Sequence, residues 1–309
     1  MDVKAHVPSD WAVLLSGNAP LPEKIHIDAL VQRVDGTGIG ALSALQGWGM
    51  KAIEPLQPKA RATLTSEIRS FWSRNVNAER IMGRDVSPHA RGSEGYFLDL
   101  QEQRYRSHRH LLPWIRAMRP GRTVLEIGCG VGLDSHVMAR HGLQVTSVDL
   151  TFVGVQTAKH RFERENMAAA FAVTDACKLA IASEMFDYVY SFGVLHHAAD
   201  TERTIKEVYR ALKKGGEARI MLYHRRSLNE LVHRLLRVPF EDRDELCPVV
   251  RRFTRPEILK MFSDFSRVEI SVEHLFGEGY GLLFRLTPGW IYGLLSRYFG
   301  WHLMIVAIK

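Results

Sequence analysis

Residues 123–134, TVLEIGCGVGLD, constrain this chain more than any other stretch. Val124, Leu125 and Ile127 form a short apolar run with a β-branched bias, Gly128, Gly130 and Gly132 follow at alternate positions, and an apolar-periodic segment begins after them. That pattern predicts a buried strand turning into a helix through a glycine loop. Without Cβ atoms, such a loop lets the backbone press against a ligand while the amides of the following helix point at it. Phosphate is the default ligand for this arrangement. Here, however, no Lys-Ser/Thr follows the last glycine, and the spacing is GxGxG rather than GxGxxG.

The segments that follow alternate regularly. Strands are expected at 123–127, 144–149, 170–174 and 186–192, and helices at 133–141, 152–166 and 201–213. Gly215-Gly216 is expected to stop the last of these helices before a strand at 217–224. Alternation with short connections implies right-handed crossovers and a parallel sheet covered on both faces. Residues 225–255 break the rhythm, and a helix restarts with Thr254 as cap and Pro256 in its first turn. SRVEISVEHL reads as a sixth strand and the last ten residues, GWHLMIVAIK, as a seventh.

Several motifs occur in order: EIGCGVG at 126–132, Asp149 ending VTSVDL, Asp175 in VTDA, FDYVYSFGVLHH at 186–197 and LKKGGEARIMLYHR at 212–225. In this set the chain resembles the class I S-adenosylmethionine (SAM)-dependent methyltransferases. The resemblance implies an α/β fold: a seven-stranded, mostly parallel sheet with helices on both faces and an antiparallel last strand. It covers residues 94–309, with an inserted lid at about 225–255; residues 1–93 are left as a mainly helical N-terminal extension. Inside that extension Gly36, Gly38 and Gly40 mimic a second glycine loop. No acid-terminated strand follows, and Pro55 and Pro58 break the pattern, so a second nucleotide site is not expected.

The resemblance also assigns roles. Gly128, Cys129 (through its backbone), Gly130 and Gly132 would face the amino-acid and ribose parts of SAM, with Glu126 near the amino group. Asp149, with Leu150 beside it, would accept the ribose hydroxyls, as an ionised carboxylate at the end of a second strand can. Asp175 and the Ala176 amide would read the adenine edge. Ser191, Phe192 and Gly193 would lie beside the sulfonium. Tyr96, Arg104 and Tyr105, in the aromatic and basic segment before the first strand, are candidates for the methionine carboxylate, because a guanidinium fork and phenol donors suit it. His196, His197 and Tyr223 are the candidate acceptor-side groups, able to move a proton or hold an acceptor in line. Adjacent histidines point in different directions and methyl transfer needs no Lewis acid, so no metal is expected. The cofactor would be SAM and the product S-adenosyl-L-homocysteine.

Composition narrows the partners. The 309 residues carry a net charge of +7, which favours anionic partners without choosing among them. Cys129, Cys177 and Cys247 are far apart and form no CxxC pair, which fits a reducing cytoplasm. No run of 18 apolar residues occurs, so no stable membrane insertion is expected. Nucleic acid is disfavoured because SFGV stands where an Asn/Asp-Pro-Pro-Tyr/Phe motif would hold a flipped base. The expected acceptor is a small polar metabolite, anionic or amino-acid-like, from the tilt given by Arg104, Arg225 and Arg226. A lipophilic quinone- or lipid-type acceptor at a membrane surface is the alternative, prompted by the apolar stretch LLFRLTPGWIYGLLSRYFGW, and an RNA or protein substrate is the second alternative. The N-terminal extension is the candidate contact for a homodimer.

Overall fold

The computed structural model describes residues 13–16, 58–76, 79–81, 84–236, 247–277 and 280–309. The glycine triplet at Gly36, Gly38 and Gly40 and the 237–246 part of the segment at 225–255 lie outside the described residues. The N-terminal part contributes a strand, β1 (Val13–Ser16), and a helix, α1 (Pro58–Arg74). After a two-stranded turn of β2 (Arg80–Ile81) and β3 (Arg84–Asp85) come helices α2 (Glu94–Ser107) and α3 (Leu111–Arg116).

The alternating part then runs β4 (Thr123–Ile127), α4 (Leu133–Arg140), β5 (Gln144–Asp149), α5 (Phe152–Arg164), β6 (Ala170–Val173), β7 (Phe186–Phe192), α6 (Thr201–Ala211) and β8 (Leu212–Tyr223). It closes with α7 (Leu228–Leu236), α8 (Arg255–Met261), β9 (Arg267–Glu273), α9 (Leu282–Leu286), α10 (Gly289–Phe299) and β10 (His302–Ile308). Thr254 caps α8 as expected, and Glu257 completes a reciprocal capping box with it.

One sheet carries the strands in the order β1-β6-β5-β4-β7-β8-β10-β9. The pairs from β6 to β8 are parallel, and β10 runs antiparallel between β8 and β9. Those seven strands have the expected arrangement. The eighth, β1, adds an antiparallel edge to β6 from the extension read as mainly helical. The sheet's two faces are filled by separate cores, one around Val189, Leu222 and Ile305, the other around Val124, Phe162 and Tyr190.

One boundary differs from the sequence reading. Gly215-Gly216 does not end α6: the chain leaves the helix at Leu212 and continues as a single long strand. Fully buried Leu212 already pairs with Phe186, and a register shift follows before Tyr188 meets Glu217. The glycines occupy that irregularity, where a Cβ on Gly216 would stand 2.9 Å from the Lys213 carbonyl oxygen.

Candidate active site

The carboxyl ends of β4, β5, β6 and β7 meet at one edge of the sheet, and a cleft with about 810 Å³ of atom-free space, part of it open to solvent, lies along it. This is where parallel α/β sheets present ligands. Gly128 has φ +82°, and a Cβ there would fall 2.2 Å from Val194 Cγ2, so the loop can pass beneath the strap after β7 only as glycine. At Gly130 no protein atom comes within 4 Å of an added Cβ, and the residue lines the cleft. Gly132 serves packing instead: its missing side chain lets α4 close on Ala158 of α5, whose Cβ would lie 2.7 Å away.

Asp149 ends β5 at the cleft wall and is held on both oxygens. Oδ2 accepts from the Gly130 amide at 2.8 Å, and Oδ1 accepts from the Thr151 amide and hydroxyl, each at 2.8 Å. Burial pushes its carboxyl above the ordinary value, against the pull of those donors. The carboxylate is therefore fixed in one orientation before any ligand arrives. Asp175 is pinned in the same way by the Cys177 amide, 2.8 Å from Oδ1, while its Oδ2 lies 3.4 Å from the Thr65 hydroxyl. Leu150, Ala176 and Gly193 line the same cleft.

His197 lines it too. Its Nδ1 lies 2.6 Å from the Val249 carbonyl oxygen, which requires a proton on that nitrogen. His196 points the other way. It is fully buried between the His197 ring and Tyr223, whose centroid is 3.8 Å away, and neither of its nitrogens has a hydrogen-bond partner among the described residues. Burial, with His197 beside it, holds its pKa well below the usual histidine value, so it is neutral at neutral pH. Tyr223 in turn packs on Trp301 at 4.3 Å.

Other predicted residues lie behind the cleft rather than in it. Ser191 is buried and donates to the Ile127 carbonyl at 2.9 Å, tying β7 to β4. Phe192 faces away, against His108, His110 and His302. Cys129 is buried, and burial drives its thiol well above the ordinary value, so it offers no thiolate. Glu126 is buried under the loop, accepting from the Ser135 and Ser147 hydroxyls; burial, then the nearby Asp134 charge, pushes it up to about 8.

The three expected carboxylate holders have different partners. The Tyr96 hydroxyl donates to Glu79 at 2.6 Å. Arg104 forks onto Asp134 at 2.8 and 2.5 Å, and Tyr105 and Tyr190 donate to the same carboxylate at 2.9 and 2.7 Å. Asp134 closes the glycine motif, and its partners converge on it from α2 and β7, so the strongest cation of the segment is spent on a buried ion pair. The cleft wall is instead supplied by α1, through Thr65, Ile68 and Trp72, and by Val76 just beyond it. Trp72 meets His197 edge-on at 5.0 Å, and Arg61 reaches Asp200 at 3.5 Å. Nothing local in the sequence places Trp72 over His197, 125 positions on.

Residues 125–220 match a family model described as a methyltransferase domain. The chain is similar to phosphoethanolamine N-methyltransferase 2 of Caenorhabditis elegans, 34% identical over 107 residues, which is 34% of this chain and 24% of the relative. It is also similar to the ubiquinone biosynthesis O-methyltransferase of Coxiella burnetii, 33% identical over 97 residues, covering 31% and 42% of the two chains. The chain thus spans less than half the length of these relatives. Among solved structures, a SAM-dependent methyltransferase from Thermotoga maritima superposes with a TM-score of 0.52 at 18% identity, covering 69% of this chain and 96% of the other. At that identity the likeness is one of fold.

Proposed function

We propose that this chain, which carries a class I methyltransferase domain, transfers the methyl group of SAM to a small-molecule acceptor. The observation that carries the reading is the convergence of Gly128, Gly130, Asp149 and Asp175 on one cleft at the carboxyl edge of the sheet. Each feature suits one part of SAM. The pinned Asp149 carboxylate keeps acceptor capacity on Oδ2 for a ribose hydroxyl, and Asp175 can accept from an exocyclic amine. Ile68, Leu150 and Trp72 give a flat heterocycle an apolar seat, while open space over Gly130 admits the close approach of a ligand chain.

SAM brings a sulfonium methyl already activated for displacement, so the protein's part is alignment and exclusion of water. His197 is the imidazole that lines the cleft and can meet an acceptor there. His196, neutral and buried behind the cleft, is not placed to take a proton from an acceptor.

For the acceptor, a body with apolar surface fits better than the anionic metabolite suggested by the arginines. Arg104 is paired with Asp134, and Arg225 with Glu257 at 2.9 Å and with the Arg252 carbonyl. The cleft itself is largely apolar, through Ile68, Trp72, Val76, Leu150 and Val194.

Asp149→Ala tests the cofactor reading. Loss of charge-assisted acceptors is expected to weaken S-adenosylhomocysteine binding by roughly ten- to a hundredfold in titration calorimetry. If the unaltered protein bound no S-adenosylhomocysteine, or the variant bound it equally well, the reading would fail. Trp72→Ala should weaken the same binding by about tenfold, through the lost aromatic contact. An unchanged affinity there would remove α1 from the site.

A further inference from the structure

Helix α10 is amphipathic in the wrong sense. Its inward stripe is Tyr292 and Ser296, tied down by the Tyr292 hydroxyl on the Phe276 carbonyl at 2.9 Å and by the Leu275 amide on the Ser296 hydroxyl at 3.2 Å. Trp290, Leu294 and Tyr298 sit two residues from that stripe, about 200° around the helix. They are the outward stripe, where a soluble helix carries polar groups. Trp290 is 72% exposed, and in α9 Leu282 and Leu286 are 70% and 75% exposed. Exposed Leu231 and Leu235 on α7 extend the apolar character, and Tyr280, bonded to Asn229 at 3.0 Å, joins α7 to the segment leading into α9. Contiguous apolar surface of this kind marks an interaction site.

The charge on this face selects the partner. Residues 281–301 carry Arg285 and Arg297 and no acid. Both arginines are exposed, and Arg297 shares the outward side with Trp290, seven residues and nearly two full turns earlier. A second copy on a two-fold axis would set these arginines against like charge, with no acid from the same stretch to pair them. Anionic headgroups would pair them while the acyl region takes up the leucines, with Trp290 and Tyr298 at the boundary between the two. No helix among the described residues is long and apolar enough to cross a membrane, so these short helices would lie in the plane of the surface.

The topology adds a consequence. β8 ends at Tyr223, β9 ends at Glu273 and β10 begins at His302, all at the sheet edge that holds the cleft. Helices α7, α9 and α10 hang from that edge, so a surface that takes them up also meets the acceptor side. We propose that α9 and α10, extended by α7, form a docking face for an anionic phospholipid bilayer, from which the acceptor enters. The docking stands on the exposed face alone, whereas the route of the acceptor rests on the methyltransferase reading.

The test is co-sedimentation of the full chain with vesicles of phosphatidylcholine containing about one quarter phosphatidylglycerol, against pure phosphatidylcholine. Binding to the mixed vesicles, weakened by salt and by omission of phosphatidylglycerol, is expected. Leu286→Glu with Trp290→Glu should lower the partition coefficient by roughly tenfold or more. Arg285→Ser with Arg297→Ser should remove the preference for phosphatidylglycerol. Unchanged S-adenosylhomocysteine binding in both variants shows that fold and cleft survive. Vesicle binding without any S-adenosylhomocysteine binding would uphold the docking face while the methyltransferase reading fell. No binding to the mixed vesicles would overturn the proposal, as would binding that survives the glutamates. A concentration-dependent dimer abolished by the glutamates, without vesicle binding, would show the face to be a self-contact and overturn it equally.

Discussion

Arg104→Met is expected to destabilise the protein by about 3–5 kcal/mol, the usual cost of removing one partner from a buried ion pair. Asp134 is 2% exposed, and its carboxylate lies under α2 with Arg104, Tyr105 and Tyr190 as its donors. Burial alone would raise its pKa; the Arg104 guanidinium, and then the hydroxyls, more than reverse that and hold it below the ordinary carboxylate range. Without the guanidinium the charge stays in the core with two neutral phenols. The stranded acid can then escape its cost only by taking up a proton. Urea unfolding at about pH 7 and about pH 5 reads this directly, because the deficit of the variant should shrink at the lower pH as the stranded carboxyl protonates. Arg104→Met combined with Asp134→Leu should recover most of the loss, since a matched apolar pair leaves no orphan charge. A single variant as stable as the unaltered protein would mean that the pair does not hold α2 to the glycine loop.

This knot also shows what the sequence could and could not disclose. The strands β4, β5 and β7 were legible to the residue, because a buried parallel strand is a short apolar run between turn signals and each of these has one. Asp149 was legible because the end of a strand fixes where its last side chain stands, whereas Asp175, two residues past the end of β6, was legible through the resemblance. Arg104 was not: on a helix before the first strand, a guanidinium suits a ligand carboxylate and a protein carboxylate equally. The choice was made by Asp134, thirty positions on, through a contact that no local pattern records.

The same reasoning explains the C-terminal helices and α1. LLFRLTPGWIYGLLSRYFGW reads as core if apolarity alone is counted, yet in the structure the satellite cluster of Leu275, Phe276 and Phe284 is filled by few of its residues, and the rest face outward. Periodicity gives the stripes of a helix but does not say which stripe is inside. Helix α1 escaped for the converse reason: its cleft partners come from β5, β6 and the strap after β7, and only the closed sheet brings them within reach of Ile68 and Trp72.

The second large effect is expected on acidification. Four imidazoles form a compact stack: His108, His274 and His302 lie with rings nearly parallel and centroids 4.4 to 5.5 Å apart, and His110 approaches His302 at 3.2 Å. Burial, with Arg104 and the neighbouring rings adding to it, lowers all four, His110 to about 4 and His274 to about 3. Buried His196 is lowered as well. A histidine whose folded pKa lies below its unfolded value contributes stability that is intact above about pH 6.5. It loses that stability as the pH falls, because the unfolded chain takes up protons that the stack refuses. By about pH 5 each such group costs roughly 2 kcal/mol. Glu126 works in the opposite direction. Raised to about 8, it stays protonated in the fold, and lowering the pH from about 7 to 5 returns roughly what one histidine takes away. His136 and His224, also lowered by burial, add to the loss, while Asp149 and Glu273, raised by burial, join Glu126 in offsetting part of it; the five buried rings dominate, and the melting temperature is expected to fall by roughly 10 °C or more over that interval. His302→Phe removes one member while keeping an aromatic ring in the stack, and it should flatten the slope. Melting curves that superimpose at the two pH values would show that the imidazoles are not buried together as neutral rings.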